Sequence, residues 1–448
     1  VLLNSNFPNS SDKTKRRIIF RTLSSNRLSF PILLNAWEQY GFDSEFEIVT
    51  REEALPPDEI IPGDVILYSF MTPVFPEVHR EIAAIKQKKE KDILICGGGP
   101  HITGEQELSR EAGFDVLFTG PGERNFLRFA AHLLENKPIP PLYEGLKPYN
   151  EIHESDRVKP VQPVNESPGI PVSDPEEDDF NRFIPVSKYI KTIPPLEIMR
   201  GCYWNCTYCS TPLHNVRFRN LESVEVLLQA MKSRGLNRIN YISPSSMEFG
   251  GLKGRDYRLD RIEELLVLTH RYNFRFVEYG IFPSEVRPDT VTEEGLHLLK
   301  KYVSNKFITI GAQSGLDSRL KELKRGHTTK DIETAICTAN ACGFSAQLDF
   351  IIGYPDETRE ERKATFDFIT RICKKYKVRA HLHYFIPLSG SPYRFRFPSF
   401  LEGDEKEALY RLQSDGIVIA GWISNEKQVI AYFDWLKANF PGYYSRYT

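Results

Sequence analysis

Short β-rich runs alternate with helix-period segments along almost the whole chain, and this alternation confines it to α/β architectures built on parallel sheets. Toward the N-terminus, strands are predicted at 18–23, 46–50, 64–69, 92–96 and 115–118, with helices at 31–40, 76–88 and 123–134. These elements predict a doubly wound parallel sheet of about five strands over residues 1–137. The alternation resumes at 196–200, 238–243, 274–279, 307–313, 345–352 and 378–386. Six βα units over 195–396 predict a full or partial parallel barrel, whose chemistry belongs at the C-terminal ends of its strands. Proline marks the boundary between the halves: residues 138–195 hold 12 of the 30 prolines, so 138–194 reads as a linker, and its acidic run 174–179 as a solvated stretch. Residues 397–448 read as a small helical C-terminal cap, with helices at 404–413 and 426–439 around an apolar stretch at 416–422.

At 448 residues the chain has room for two or three domains with full cores. Lys plus Arg number 58 against 60 Asp plus Glu, a formal net charge of -2, so no global field recruits phosphate backbones and a nucleic-acid partner is not expected. Apolar runs fall well short of the ~20 residues that span a bilayer, and the N-terminus shows no basic-then-apolar leader. No transmembrane segment and a cytoplasmic location are therefore expected. Seven cysteines, an odd count without a secretory signal, suit a reducing compartment rather than a disulfide framework.

Three of those cysteines fall within eight positions, in Cys202-Tyr-Trp-Asn-Cys206-Thr-Tyr-Cys209, just after the first strand of the second half. Such spacing admits two readings. Three thiolates can bind three irons of a cubane and leave the fourth iron open, whereas a fully protein-ligated cluster takes four cysteines. Alternatively, Cys202, Cys206, Cys209 and His214 can form a Cys3His zinc staple.

At these residues the chain resembles the radical S-adenosylmethionine (radical SAM) enzymes, whose hallmark is this cysteine spacing with an aromatic, here Tyr208, before the last cysteine. Further motifs follow in order. Ser243, in Ile242-Ser243-Pro244, occupies the place of the family's cofactor amino-group motif. Gly311-Ala-Gln313-Ser314-Gly315 is similar to a signature of the methylthiotransferase-like branch, and Lys324-Arg325-Gly326-His327-Thr328 to that branch's Arg-Gly-(Tyr/His)-Thr stretch. Asp349-Phe-Ile-Ile-Gly353-Tyr-Pro355-Asp-Glu357 resembles the family's fifth-strand motif, and Pro387-Leu-Ser-Gly390-Ser-Pro392 the turn after its sixth strand. The resemblance covers about 195–393 and implies a (βα)6 partial barrel. It also implies a 4Fe-4S cluster on the three cysteines, with S-adenosylmethionine chelating the open iron and yielding a 5'-deoxyadenosyl radical on one-electron reduction. Gln313 and Ser314 would then contact the cofactor's ribose or methionine part, Arg325 its carboxylate, and Gly353 and Glu357 would lie near the adenine. A one-electron donor such as flavodoxin or ferredoxin is implied as a partner.

In the first half, polar and glycine residues collect at strand C-terminal ends, where doubly wound sheets bind ligands. Ser69 and Thr72 follow one strand, Gly97-Gly98-Gly99-Pro100 the next, and Gly120-Pro-Gly122-Glu123 the one after. Glycine there either permits close backbone approach to a bulky ligand or serves only tight turns. Ser-x-x-Thr-Pro followed by Gly-Gly-x-Pro resembles the flavodoxin-like cobalamin-binding domain that precedes the barrel in cobalamin-dependent radical SAM enzymes. The Asp-x-His-x-x-Gly loop that supplies a histidine to cobalt elsewhere is absent from 23–29. The resemblance therefore implies cobalamin without a protein imidazole, or an empty domain.

Strand alternation carries the last inference, since residues two apart share a face. With Ala380, Leu382 and Tyr384 toward the helices, Arg379, His381 and His383 point into the barrel, as do Gln347 and Asp349 of the preceding strand and Thr309 and Gln313 of the one before. Asp349, His381 and His383 are the candidate catalytic residues, orienting substrate or managing a proton, or else they form a structural network. By resemblance, the expected reaction is methylation of an unactivated carbon in a small-molecule, lipid or peptide substrate, with the two halves sharing one cavity. Radical rearrangement without methyl transfer, sulfur insertion and a zinc-stapled binding protein are the rivals.

Overall fold

The computed structural model describes residues 15–23, 28–88, 92–144, 179–213 and 215–448, and the chain divides into two compact units. Most of the expected linker and of its acidic run, together with His214, lie outside the described residues. No helix among the described residues is long and apolar enough to cross a membrane.

One unit comprises Val1–Pro194 with Leu388–Ser391. Its elements are β1 (Arg17–Arg21), α1 (Ser29–Tyr40), β2 (Glu47–Arg51), β3 (Val65–Ser69), α2 (Phe75–Lys88), β4 (Leu94–Gly98), α3 (Pro100–Gly104), α4 (Gln106–Glu111), β5 (Val116–Phe118), α5 (Glu123–Leu134), β6 (Leu142–Tyr143) and α6 (Asp179–Arg182). The strands form one six-stranded parallel sheet in the order β2-β1-β3-β4-β5-β6, which reverses direction between β1 and β3. Every residue of β3 is buried, as expected of a central strand covered by helices on both faces. Trp37 of α1, fully buried, stacks on Phe126 of α5 at 4.3 Å and donates its indole N–H to the Phe126 carbonyl at 3.0 Å, locking these helices over Phe20 and Phe118. β6 is a sixth strand beyond the five expected. It comes from the proline-rich stretch and has only two residues, too few to show a period. Asp179, the one described residue of the acidic run, is not free but forms a two-point pair with Arg124 at 2.9 and 3.0 Å.

The other unit comprises Pro195–Pro387 and Pro392–Thr448. It runs β7 (Leu196–Glu197), β8 (Met199–Arg200), β9 (Arg217–Phe218), α7 (Leu221–Ser233), β10 (Arg238–Ile242), α8 (Leu259–Arg271), β11 (Phe276–Glu278), α9 (Glu293–Tyr302), β12 (Phe307–Gln313), α10 (Asp317–Glu322), α11 (Thr329–Ala341), β13 (Ser345–Ile352), α12 (Arg359–Tyr376) and β14 (Arg379–Tyr384). After these come α13 (Gly403–Ser414), β15 (Val418–Ala420), α14 (Trp422–Asn439) and α15 (Pro441–Tyr444). Two parallel sheets, β7-β10-β11 and β12-β13-β14-β15, are joined by a Val286/Ile310 bridge and by the Thr309 N–H donated to the Gly280 carbonyl at 2.8 Å. Strand order follows chain order throughout, as in an open parallel barrel. Capping boxes at Thr328/Asp331 and Thr358/Glu361 start α11 and α12 and satisfy their first amides.

The tail departs from a purely helical cap. Its helices form, but between them Val418, Ile419 and Ala420 pair in parallel with Ala380, His381 and Leu382, extending the sheet by one strand. The β-branched pair favours an extended strand, and three residues are too short a run to be told from a loop by pattern.

Candidate functional site

In the second unit, the ends of β8, β10, β12, β13 and β14 surround a cavity of about 250 Å³. All three clustered cysteines line it, together with Tyr208, Ser243, Gln313, Arg325, Asp349 and His383. The cysteine loop leaves β8 through Gly201, whose φ of 78° lies in the left-handed region. It then turns on a Cys209 N–H to Cys206 carbonyl bond of 3.1 Å. Cys209 Sγ lies 3.2 Å from the Thr211 hydroxyl and accepts the Thr211 amide at 3.4 Å. Cys206 Sγ faces Arg325 Nη1 at 3.6 Å. Burial pushes the Cys202 thiol up to about 12 and raises Cys209 as well. Burial thus favours the neutral thiol at both, and a cation bound here would have to displace their protons.

Arg325 ties the site together. Its Nη1 donates to Tyr208 Oη at 3.1 Å and its Nη2 to the Gly311 carbonyl at 2.8 Å. Burial opposes its charge, yet Tyr208 and Cys206 outweigh that penalty and the pKa rises, so the guanidinium stays a cation beside the sulfurs. Gly311 makes room for this arrangement: a Cβ there would lie 3.0 Å from Gln313 Nε2 and Glu285 Oε2 and 3.1 Å from Arg325 Nη2. Gln313, at φ 69° and buried, lines the cavity, and its Oε1 has no hydrogen-bond partner among the described residues. Ser243 also faces the cavity, with Oγ 3.4 Å from Met199 Sδ.

Other expected site residues serve differently. Ser314 accepts the Leu316 amide within its own turn at 3.3 Å and does not line the cavity. Gly353 and Glu357 lie off it too. Gly353, at φ 76°, donates its N–H to Glu357 Oε2 at 2.7 Å, so this pair shapes the turn after β13. Burial pushes the Glu357 carboxyl up to about 7. A carboxyl raised in the fold favours the protonated, folded form, so its stabilising contribution is complete below the ordinary value near 4.5 and is lost as pH rises through about 7. Glu357→Gln keeps an acceptor for Gly353 without the charge. Its melting temperature relative to the native chain should therefore rise between pH 5 and pH 8, and a variant less stable at pH 8 would show that Arg319 and Arg362 outweigh burial.

Two neighbours of the cysteine loop escaped the sequence reading. Glu285, in the loop that follows β11, lines the cavity beside Asp349, and burial followed by the Asp349 charge raises its pKa. A carboxylate between Pro283 and Arg287 in the loop after a barrel strand was the available signal. Trp204, inside the cysteine motif, donates its indole N–H to both Glu248 carboxylate oxygens at 3.1 and 3.0 Å, and the Arg287 guanidinium covers its ring at 3.6 Å. At the far wall Asp349, His381 and His383 come together as alternation predicts. Their nearest approaches are 3.6 Å from Asp349 Oδ1 to His381 Nδ1 and 3.8 Å from Asp349 Oδ2 to His383 Nε2.

In the first unit the close approach expected of a ligand is made in part by the chain itself. A Cβ on Gly97 would lie 2.8 Å from the Ile102 and Phe114 side chains, and one on Gly99 2.9 Å from Phe70 N and Ser69 Oγ. Thr72 Oγ1 is engaged by Ser389 Oγ at 2.8 Å and lies 3.3 Å from His101 Nδ1. Gly97 and Gly99 are therefore closely packed, and the Thr72 hydroxyl is already hydrogen-bonded within this unit. Ser69 is buried at the end of β3, and Gly98 has room for a Cβ at ordinary contact distances, 3.8 Å from Phe118. Gly120, at φ 68°, donates to Thr103 Oγ1 at 3.1 Å, Gly122 packs near Leu33, and Glu123 starts α5 buried.

Comparison with known proteins gives the following. Residues 196–369 match the Radical SAM superfamily model. A putative methylthiotransferase of Methanocaldococcus jannaschii is 25% identical over 69% of this chain, which spans 65% of that relative's length. Among solved structures, the radical S-adenosylmethionine methyltransferase TsrM of Kitasatospora setae, with cobalamin and a [4Fe-4S] cluster bound, is similar with a TM-score of 0.58. The two are 14% identical, over 85% of this chain and 74% of TsrM. The cobalamin-dependent S-adenosylmethionine radical enzyme OxsB, with aqua-cobalamin bound, also has a TM-score of 0.58, at 17% identity over 91% of this chain and 59% of OxsB.

Proposed function

We propose that this chain, whose residues 196–369 form a radical SAM domain, is an enzyme that holds a 4Fe-4S cluster on Cys202, Cys206 and Cys209, binds S-adenosylmethionine beside it, and uses cobalamin in its first unit to methylate an unactivated carbon of a small-molecule substrate. The observation that carries this reading is the convergence of three unpaired thiols on one polar cavity with Tyr208, Arg325 and Gln313. The donor set suits a cluster better than one zinc. Cys202, Cys206 and Cys209, with Tyr208 before the last cysteine, lie within the residues that match the radical SAM model, and His214, the fourth ligand a zinc staple would need, lies outside the described residues.

When bound, the cluster supplies one-electron chemistry and cobalamin a methyl carrier. The chain's own residues hold and orient. Arg325 offsets the negative charge that three thiolates would bring. Gln313 Oε1 offers an unused acceptor to a hydroxyl or ammonium group, Ser243 a hydroxyl, and Tyr208 closes the wall behind Cys206 and excludes water. In the first unit, Ser69, Gly98 and the Gly120 turn at the strand ends are the residues for a corrinoid. Sulfur insertion, suggested by the methylthiotransferase relative, is disfavoured because Cys96, the first unit's one cysteine, is fully buried in the sheet core and its thiol is raised well above its ordinary value by burial.

The test is iron, cobalt and zinc content after anaerobic purification with hydroxocobalamin, followed by product analysis with candidate substrates and a flavodoxin or ferredoxin as electron donor. About four irons and one cobalt per chain, with 5'-deoxyadenosine and S-adenosylhomocysteine formed, is the expected result. Iron without cobalt would remove methyl transfer and leave a radical enzyme of another kind. Zinc alone would overturn the reading.

A further inference from the structure

Asp349 and His381 face each other across the β13–β14 register, and His383 follows two residues later on the same face of β14. One carboxylate oxygen and one imidazole nitrogen from each histidine converge here, the three ligand atoms lying within 4.8 Å of one another, with the Glu285 carboxyl beside Asp349 on the cavity side. Asp349 is 2% exposed, yet neither of its oxygens has a hydrogen-bond partner among the described residues. A buried carboxylate left in that state is costly unless something binds it. Its distances of 3.6 and 3.8 Å to the two imidazoles are too long for hydrogen bonds. They run to different oxygens of the carboxylate; a tetrahedral ion with bonds of about 2.0–2.1 Å separates its ligands by roughly 3.4 Å, which the three ligand atoms, all within 4.8 Å of one another, reach by small side-chain rotations. The opposite edges of both rings face the backbone of Gly421: a Cβ there would lie 3.2 Å from His381 Nε2 and 3.5 Å from His383 Nδ1. His381 Nδ1 and His383 Nε2 are thereby left turned toward Asp349.

We propose that Asp349, His381 and His383 bind one divalent transition-metal ion of the zinc or iron(II) class, separate from the cysteine site. Two imidazoles and one carboxylate suit such ions rather than calcium or magnesium, which prefer oxygen ligands throughout. Three protein ligands leave coordination positions open. Because Asp349 and His383 also line the 250 Å³ cavity, those positions face it and take an oxygen donor of the substrate, a carboxylate, hydroxyl or carbonyl. The ion anchors the substrate and needs no cluster, so the proposal stands independently of the radical reading.

The experiment uses the full chain carrying C202A, C206A and C209A, titrated with Co2+ and followed in the visible spectrum. The expected result is one Co2+ per chain with ligand-field bands of nitrogen and oxygen donors and no thiolate charge-transfer band. H381A, H383A or D349N added to that background should weaken binding by about 100-fold or more, since even outer partners of metal ligands are worth about 10–100-fold. Circular dichroism confirms that each variant is folded. Should the cysteine-free chain not fold, the cluster-loaded native chain is dialysed against chelator and assayed for metal beyond the cluster iron. One such equivalent, lost in H381A with the cluster spectrum intact, is then expected. Absence of cobalt or of any extra metal, or cobalt bound equally by H381A and H383A, overturns the proposal. Absence of cluster iron from the native chain would instead sink the radical reading and leave the cobalt result standing.

Discussion

Cys206→Ala should empty the cysteine site: iron content falls from about four per chain to background, and reductive cleavage of S-adenosylmethionine disappears with it. Cys206 is the best test of the three because its sulfur faces Arg325, so its loss also leaves that buried cation facing a void. Cys373→Ala supplies the control. Cys373 is buried in α12 and takes no part in the cavity, and removing it should leave iron unchanged. Iron content and the cluster's visible and electron paramagnetic spectra check both. Full iron retention in Cys206→Ala would mean that the three cysteines are not the ligands.

The second large effect is expected at Trp204. Its indole reaches from the cysteine loop to Glu248, which is fully buried, and it lies under Arg287, with Gly254 and Gly326 closing around it. Trp204→Ala should cost about 3 kcal/mol, the lower end for a large aromatic because the ring is half-buried. It should also leave the Glu248 carboxylate short of a donor. The loop that spaces Cys202 from Cys206 then loses its brace, and iron should be retained poorly even in chains that fold. Gly326→Ala approaches the same ring from the other side. Its Cβ would lie 2.6 Å from the indole, at a φ of 73° that costs a side chain about 1–2 kcal/mol. Thermal melts with parallel iron assays test both. Trp204→Phe should recover packing but not the bond to Glu248, separating the two contributions. A Trp204→Ala chain with native stability and full iron would show that the loop holds its shape unaided.

Period and spacing carry a good part of this architecture. β12 and β13 fall at the predicted residues because both are long, largely buried apolar runs, and the alternation of β14 helps bring Asp349, His381 and His383 together. What escaped has two physical causes. Two- and three-residue strands such as β6 and β15 are set by the neighbours they pair with, and so short a run carries no period. Glu285 and Trp204 sit in irregular loops, where function depends on where the chain returns in space. The Thr72, His101 and Ser389 cluster is the extreme case: Ser389 lies 317 residues from Thr72 in sequence, and nothing local announces that Thr72 spends its hydroxyl on the protein itself. At Gly97 and Gly353 the motif residues are also ones the fold packs closely, which the local sequence does not show.

β15 has a consequence for how this protein can be handled. By pairing with Ala380, His381 and Leu382 it shields what would otherwise be the free edge of β14, a row of unsatisfied amides and carbonyls. Deleting the residues from 416 onward would uncover that edge, and copies of the shortened chain would have a template for pairing strand to strand. Trimmed versions made to shrink the molecule should therefore precipitate or form dimers, and a stop placed within the last helices, beyond β15, is the safer place to cut.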